Sequence, residues 1–303
     1  MTVLVTGASG FIGRHCVQAL LASGYEVHAV SRGSTWNAPG LVWHDADLWQ
    51  PAAITRLFSE CAPTHLIHAA WSVAHGTYWT SPDNLTWTMR SMDLLHEARR
   101  HGVQRVVGIG TCAEYGLDHF VCNERSTAMR PAGVYAQAKH ATQVLFDAAG
   151  EALGLSTAWV RLFFPYGTFD HPNKLIPYTI RQLLKGEPAE LSSGEQVRDF
   201  LVAQDIGRAV AAVLHSNVRG PVNVASGTGL AVREVVQRLG EMMGRPDLIR
   251  LGVREVHRLE AKRWVASVGR LAGEVGWRPT IPLEEGLRLT VADVRILNHL
   301  SPH

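Results

Sequence analysis

This chain of 303 residues has few cysteines, and they show no pattern: Cys16, Cys61, Cys112 and Cys122 form no CxxC pair and no regular framework. A disulfide scaffold is excluded, and four free thiols in a reducing compartment are expected. An excess of charge of one sign is also lacking. The 29 Lys and Arg face 27 Asp and Glu, a formal net charge of +2. That balance nearly excludes a protein organised around phosphate-backbone neutralisation, so no nucleic acid partner is expected; a local basic site for one anionic ligand remains open. No apolar run reaches the ~18 residues that span a bilayer, and no membrane partner is expected. No positive region precedes an apolar core at the start, where MTVLVTG runs straight into a glycine loop, so the expected location is cytoplasmic. Internal repeats and low-complexity segments are absent. Histidines number 15, but His65 and His68 lie three apart on a strand-like run and face opposite sides, so they do not chelate one ion. No metal is expected.

What is present is a large apolar fraction, 46%, enough for one large sheet with an added lobe. Strand-like runs at Thr2–Thr6, Glu26–Val30, Leu41–Trp43, His65–Ala69, Arg105–Ile109 and Thr157–Leu162 alternate with helix candidates near Phe11–Ala22, Ala52–Cys61, Asn84–His101 and Val134–Leu153. That alternation predicts an α/β fold, a doubly wound parallel sheet with both faces covered. Beyond Arg161 the pattern loosens. Phe164–Asn173 reads as a shaped loop and Lys174–Lys185 as a helix, with a strand at Phe200–Ala203, a helix over Asp205–His215 and a strand at Pro221–Ala225. Residues 1–165 are read as the sheet domain, with 200–225 returning to the sheet. Residues 166–199 and 226–303 are read as a smaller substrate-binding lobe.

The strongest local signal is Thr6-Gly7-Ala8-Ser9-Gly10-Phe11-Ile12-Gly13. It follows a strand and opens a helix. Small residues there let the backbone approach a pyrophosphate, and the helix N-terminus supplies N–H donors. Gly7, Ser9, Gly10, Phe11, Ile12 and Gly13 are therefore candidate cofactor contacts. The second strand ends at Ser31-Arg32, where an NAD-type fold usually carries a carboxylate for the ribose 2′-hydroxyl. An arginine instead can neutralise a 2′-phosphate, which favours NADP(H) over NAD(H); a solvated loop arginine is the alternative. Asp47-Leu48, after the third strand, can hold the adenine edge, or Asp47 can cap a helix.

Tyr135-Ala-Gln-Ala-Lys139 places a phenol and an ammonium on one helix face. An adjacent ammonium favours the phenolate and lowers the phenol's pKa, which suits acid–base work. Thr111 follows an apolar strand and supplies the hydroxyl that makes the pair specific.

With these residues in place, the chain resembles the extended short-chain dehydrogenase/reductase family, the NAD(P)-dependent nucleotide-sugar epimerase, dehydratase and reductase group with a Rossmann-type sheet. TGASGFIG, Thr111-Cys112-Ala113-Glu114-Tyr115-Gly116, YAQAK, Arg161-Leu162-Phe163-Phe164-Pro165-Tyr166-Gly167, Gln196-Val197-Arg198-Asp199-Phe200 and Gly276-Trp277-Arg278-Pro279 match its landmarks in order. The resemblance implies Thr111, Tyr135 and Lys139 as catalytic hydroxyl, acid–base and supporting lysine, with Tyr135 and Lys139 also touching cofactor. It implies that Ala69 and Ala70 border the cofactor and that Arg198 grips a substrate diphosphate. It also implies a homodimer through the helices after Asn84 and around Tyr135.

The departures from the family pattern carry information. Members that perform 4,6-dehydration usually carry Asp-Glu after the threonine, and here Cys112-Ala113 stand there. An elimination needs both a base and an acid, so dehydration is not expected. Family epimerases commonly have Asn at the positions of Phe164 and Lys174. Lys174 can take over charge neutralisation, and Phe164 cannot donate. The segment Trp71–Trp87, with His75, Tyr78 and Trp79, either walls the sugar pocket or packs against the lobe, and Glu114 borders Thr111 within reach of substrate. Loops 71–87, 112–124 and 163–174 are expected to shape specificity. The expected function is NADPH-dependent reduction of a nucleotide-linked 4-keto-6-deoxy sugar. The alternative is a nucleotide-sugar 4-epimerase that retains NAD.

Overall fold

Val3 and Val5 of the first strand point into one apolar core and Leu4 into another, the period of two that a strand imposes. The same holds across the sheet, which explains why its strands are apolar without alternation. The computed structural model describes residues 1–33, 35–117, 121–255 and 261–300, the side chains of 298–300 excepted.

The first half of the chain runs β1 (Thr2–Thr6), α1 (Phe11–Ala22), β2 (Glu26–Ser31), β3 (Leu41–Asp45), α2 (Pro51–Cys61), β4 (His65–His68), α3 (Asp83–Arg100), β5 (Arg105–Thr111), α4 (Gly133–Ala152) and β6 (Ser156–Leu162). Then follow β7 (Phe164–Tyr166), α5 (Leu175–Lys185), β8 (Ala189–Glu190), β9 (Val197–Arg198), β10 (Phe200–Val202), α6 (Ala203–His215) and β11 (Gly220–Val224). The tail comprises β12 (Leu230–Ala231), α7 (Val232–Met242), β13 (Ile249–Arg250), β14 (Arg263–Trp264), α8 (Gly269–Gly273) and α9 (Leu283–Leu300).

Seven strands form the main parallel sheet in the order β11-β6-β5-β4-β1-β2-β3. The chain leaves β1 toward β3, then returns to build outward from β4. Order therefore reverses between β1 and β4, and the crevice outside their carboxyl ends is where open α/β sheets bind ligands. α1 and α6 cover one face, and α2, α3 and α4 the other. Helices α1 and α6 approach closely because Gly207 faces the backbone of His15; a Cβ there would run into the His15 carbonyl.

Two expectations need correction. Residues 164–166 are strand, not loop: Phe164 pairs with Phe200 and Tyr166 with Val202 in a separate two-stranded sheet. Pro165 at the centre hides this strand in the sequence. β10 consequently does not return to the main sheet. Within 200–225 only β11 joins it, beside β6, while α6 packs against α1. A further core gathers side chains of α5, α7 and α9, including Ile180, Val235 and Leu287. Among the described residues no helix is long and apolar enough to cross a membrane.

Gly207→Ala should destabilise the fold by ~1–3 kcal/mol, the usual cost of forcing a methyl into a packed interface. Urea denaturation followed by circular dichroism checks this, and an unchanged midpoint would contradict the close α1–α6 approach.

Candidate active site

The glycine loop lies where the sequence puts it. Gly7 has φ 67°, a conformation open to glycine, and a Cβ there would strike the backbone of Ala69 and Ala70. The amide of Ala70 donates to Thr6 Oγ1 at 3.3 Å, so the ends of β1 and β4 are stitched together at the crevice. A Cβ on Gly13 would meet the Gly7 carbonyl, which fixes the close strand-to-helix turn. Gly10 is the N-cap of α1, without a side-chain cap and without an acidic residue in the first turn. The first-turn N–H groups are left to an external anion. Phe11 and Ile12 open α1 beside them.

Ser31 closes β2 and its hydroxyl donates to Ser9 Oγ at 3.1 Å, tying β2 to the loop. Ser31, Arg32, Gly33, Thr35, Trp43, His44 and Asp45 line a cavity of about 240 Å3. Arg32 is exposed at its rim. Asp45, at the end of β3, brings a carboxylate to the same cavity. Asp47 Oδ1 accepts the amide of Trp49 at 3.1 Å, so it orders the turn before α2. Leu48 is buried with the α2 core.

At the other end of the crevice stand Thr111, Tyr135 and Lys139. Thr111 is the last residue of β5 and the N-cap of a short 3₁₀ turn, Cys112–Tyr115. Its Oγ1 accepts from the Ala113 amide at 3.3 Å, and its side chain hydrogen-bonds the Tyr135 phenol. Lys139 is almost fully buried and donates to the Ile109 carbonyl at 2.7 Å. Burial pushes its ammonium down to about 7, with Glu114 pulling the other way. Burial, with Tyr78 second, pushes the Tyr135 phenol well above its ordinary value. The expected lowering by the neighbouring ammonium is thus outweighed here: Lys139 points to Ile109, and desolvation dominates.

The aromatic segment forms an arch over this pair. Lys139 Nζ lies 3.7 Å from the Trp71 ring centroid. Trp71 is held by Nε1 donating to Asn84 Oδ1 at 2.8 Å, and the buried Asn84 amide donates to the carbonyls of Tyr78 and Ser81. Tyr78 and Trp79 stand edge-on to the Tyr135 ring at 4.8 and 5.4 Å. The segment packs on α4 itself.

Glu114 does not face a substrate. It is fully buried. Oε1 accepts from the Thr111 amide and from Trp159 Nε1, both at 2.9 Å. Oε2 accepts from Arg161 Nε at 2.8 Å. Its role is to hold the turn that carries Thr111. Thr111-x-x-Glu114 is a capping-box spacing, a signal present in the sequence that would have identified this role. Arg161 was legible only as part of a family landmark. It bonds Tyr115 Oη and Gln143 as well, and Glu114 and Tyr115 hold its guanidinium above the ordinary value against the effect of burial.

The expected substrate residues are spread out. Arg198 is 1% exposed and lies between the Phe164 and Trp264 rings, 5.0 and 5.4 Å from their centroids. Lys174 is the N-cap of α5, pairs with Asp170 at 3.1 Å and sits 5.4 Å from the Phe11 ring centroid. Its charge therefore reaches the glycine loop. His75 is exposed and stacks on His171 at 4.7 Å. Residues 118–120 of the loop expected to shape specificity lie outside the described residues. Cys112 is buried beside Thr111, and burial pushes its thiol far up.

Comparison with known proteins agrees with this geometry. Residues 3–225 match the model of the NAD dependent epimerase/dehydratase family. A UDP-glucose 4-epimerase from Bacillus subtilis is 27% identical over 94% of both chains. The structure of a UDP-glucose 4-epimerase from Thermus thermophilus in complex with NAD superposes with TM-score 0.87 at 30% identity, covering 97% of this chain and 99% of that one. DesIV, a dTDP-glucose 4,6-dehydratase from Streptomyces venezuelae with NAD bound, gives TM-score 0.88 at 27% identity over 99% and 98%.

Lys139 binds its proton more weakly in the folded than in the unfolded chain, whose lysines titrate near ~10.4. Between about 7 and that value the unfolded state holds more protons, so this group adds stability as pH rises through the window. Lys139→Met lacks that contribution. Urea midpoints of parent and variant from pH 6 to 10 should diverge in the parent's favour as pH rises, and a constant difference would refute the buried, weakly basic ammonium.

Proposed function

This chain belongs to the NAD dependent epimerase/dehydratase family, and from that premise we propose that it is a nicotinamide dinucleotide enzyme acting on a sugar carried by a nucleoside diphosphate. The residues fit the dinucleotide. The uncapped α1 N-terminus takes the pyrophosphate, and the Gly7–Ala70 contact leaves room only for backbone beside it. When bound, the nicotinamide supplies or accepts the hydride at the sugar carbon.

The chain's own residues handle the proton. Tyr135, kept protonated by desolvation, donates to the oxygen of the reacting carbon, and Thr111 donates a second hydrogen bond to that oxygen. Lys139 orients ribose hydroxyls and, when charged, eases loss of the phenol proton. Trp71 excludes water from its ammonium. Glu114 and Arg161 hold Thr111 in place. Dehydration lacks its residues: Cys112 is a buried, un-ionised thiol and Ala113 carries no acid or base.

Within this frame the net reaction we favour is reduction of a 4-keto-6-deoxy sugar by NADPH. The observation that carries it is the end of β2, where Ser31 and Arg32 line the adenosine-side cavity and no carboxylate follows the strand. A second reading, 4-epimerisation with retained NAD, is favoured by Asp45, whose carboxylate reaches the same cavity from β3 and can accept a ribose hydroxyl. Lys174 beside Phe11 supports a diphosphate near the loop. The exposed Leu85 and Met89 of α3 and Val144 and Leu145 of α4 support pairing of two copies through these helices.

Three measurements test the reading. Nucleotide released on denaturing the purified protein should be scarce, and NADPH should be oxidised when a nucleotide-linked 4-keto-6-deoxy sugar is added; stoichiometric NAD with no net NADPH consumption would establish the epimerase. Arg32→Ala should raise KM for NADPH by roughly 10–100-fold, the worth of a charge-assisted hydrogen bond, and leave KM for NADH unchanged. Tyr135→Phe should lower kcat by about 10²–10⁴ while dinucleotide binding, read by fluorescence titration, is spared. Turnover surviving in that variant would displace Tyr135 from its role.

A further inference from the structure

Three side chains of metal-ligating type meet away from Thr111, Tyr135 and Lys139, and one of them, His44, also lines the cavity at the end of β2. His28 on β2, His44 on β3 and Cys61 at the end of α2 bring one donor atom each to within 4.8 Å of one another. The strands explain why. Val42 pairs with His28 across the parallel register and His44 lies two residues on, so both imidazoles project from the same face. Helix α2 packs on that face through Ile54, Leu57 and Phe58, and its last residue, Cys61, completes the group.

Two of the three donor separations are close to what a tetrahedral ion needs, and the third lies within 4.8 Å. His28 Nδ1 is 2.9 Å from His44 Nε2, and His44 Nε2 is 3.3 Å from Cys61 Sγ. With metal–nitrogen bonds near 2.0–2.1 Å and metal–sulfur near 2.3 Å, tetrahedral donors stand roughly 3.3–3.6 Å apart. The pair of imidazoles has only to open by a few tenths of an ångström.

The outer nitrogens carry an independent signal. His28 Nε2 faces Glu26 Oε1 at 3.6 Å, and His44 Nδ1 faces Glu60 Oε2 at 3.8 Å. Glu60 Oε1 is in turn held by Arg56 Nε at 3.7 Å. Each imidazole thus has a carboxylate within ion-pair reach of the nitrogen turned away from the cluster, near where the outer-shell carboxylate of a metal-bound histidine stands. Without an ion the two inner nitrogens share one proton in a 2.9 Å N–H···N hydrogen bond, and a cation bound between them displaces that proton. A cavity of about 320 Å3 lined by His44, Asp45, Arg56 and Glu60 reaches the cluster on its His44 side.

We propose that His28, His44 and Cys61 bind one borderline-soft divalent cation of the zinc class, pinning the end of α2 to the β2–β3 edge. The Cys61 proton leaves to solvent as the sulfur–metal bond forms. Alkaline-earth ions are excluded by the nitrogen and sulfur donors.

Cobalt(II) is the probe. The purified protein is stripped with chelator and titrated while the visible ligand-field bands and the near-ultraviolet thiolate-to-cobalt band are recorded. One equivalent should saturate intense tetrahedral bands, and zinc should bleach them. Cys61→Ser should lose the thiolate band with its circular dichroism unchanged, and Cys112→Ser should keep it. Glu60→Gln should weaken cobalt binding by about 10-fold or more. Should Cys61→Ser not fold, His44→Gln serves instead and must weaken binding and alter the ligand-field bands. A six-coordinate spectrum, no thiolate band, or a band that persists in Cys61→Ser would overturn the site.

Discussion

A buried ion pair under the crevice sets the positions on which the rest of the site depends. Glu114 and Arg161 meet at 2.8 Å with 0% and 1% of their side chains exposed. A charge taken out of water at such depth is tolerable only if every lone pair and N–H finds a partner. Here each guanidinium nitrogen and each carboxylate oxygen has a partner, through the Thr111 amide on β5, Trp159 on β6, Gln143 on α4, and Tyr115, whose hydroxyl passes the bond on to Asn223 on β11. The network fixes the end of β5 relative to α4. Thr111 sits on the first and Tyr135 with Lys139 on the second, so the spacing of these three candidate groups follows from it. Gly110 is part of the same constraint, since a side chain there would strike Trp159 and Glu114.

The sheet and its cofactor loop were legible because their signals are local. β1 and α1 fall on the residues that apolar runs and the glycine loop predict, and Tyr135 and Lys139 share a helix face as a spacing of four requires. What was missed is either very short or assembled from distant positions. Strands of two or three residues such as β9, β12 and β14 carry no periodicity, and β7 is masked by Pro165. Glu114 looked available because it borders Thr111; only the placement of Arg161, 47 residues on, shows that its carboxylate is spent. His28, His44 and Cys61 have no motif spacing, since a strand register and a helix end bring them together. Aromatics near residue 75 were visible as a cluster, but their placement over Lys139 depends on the buried Asn84.

Desolvation is the common element in the chemistry the site permits and refuses. It keeps the Tyr135 phenol protonated, lowers the Lys139 ammonium to about 7, and leaves the Cys112 thiol un-ionised. A protonated phenol is a proton donor in waiting, matched to a reaction in which a carbonyl oxygen gains a proton as its carbon gains a hydride. The reverse direction needs the phenolate, hence a charged Lys139, and the Trp71 ring over that nitrogen stabilises the cation only modestly against burial. An elimination would need an ionised base beside Thr111, and the same dryness denies it to Cys112. The arch of Trp71, Tyr78 and Trp79 is therefore more than a wall. By keeping water from the lysine and the phenol, it biases the pair toward a protonated phenol and a weakly basic lysine.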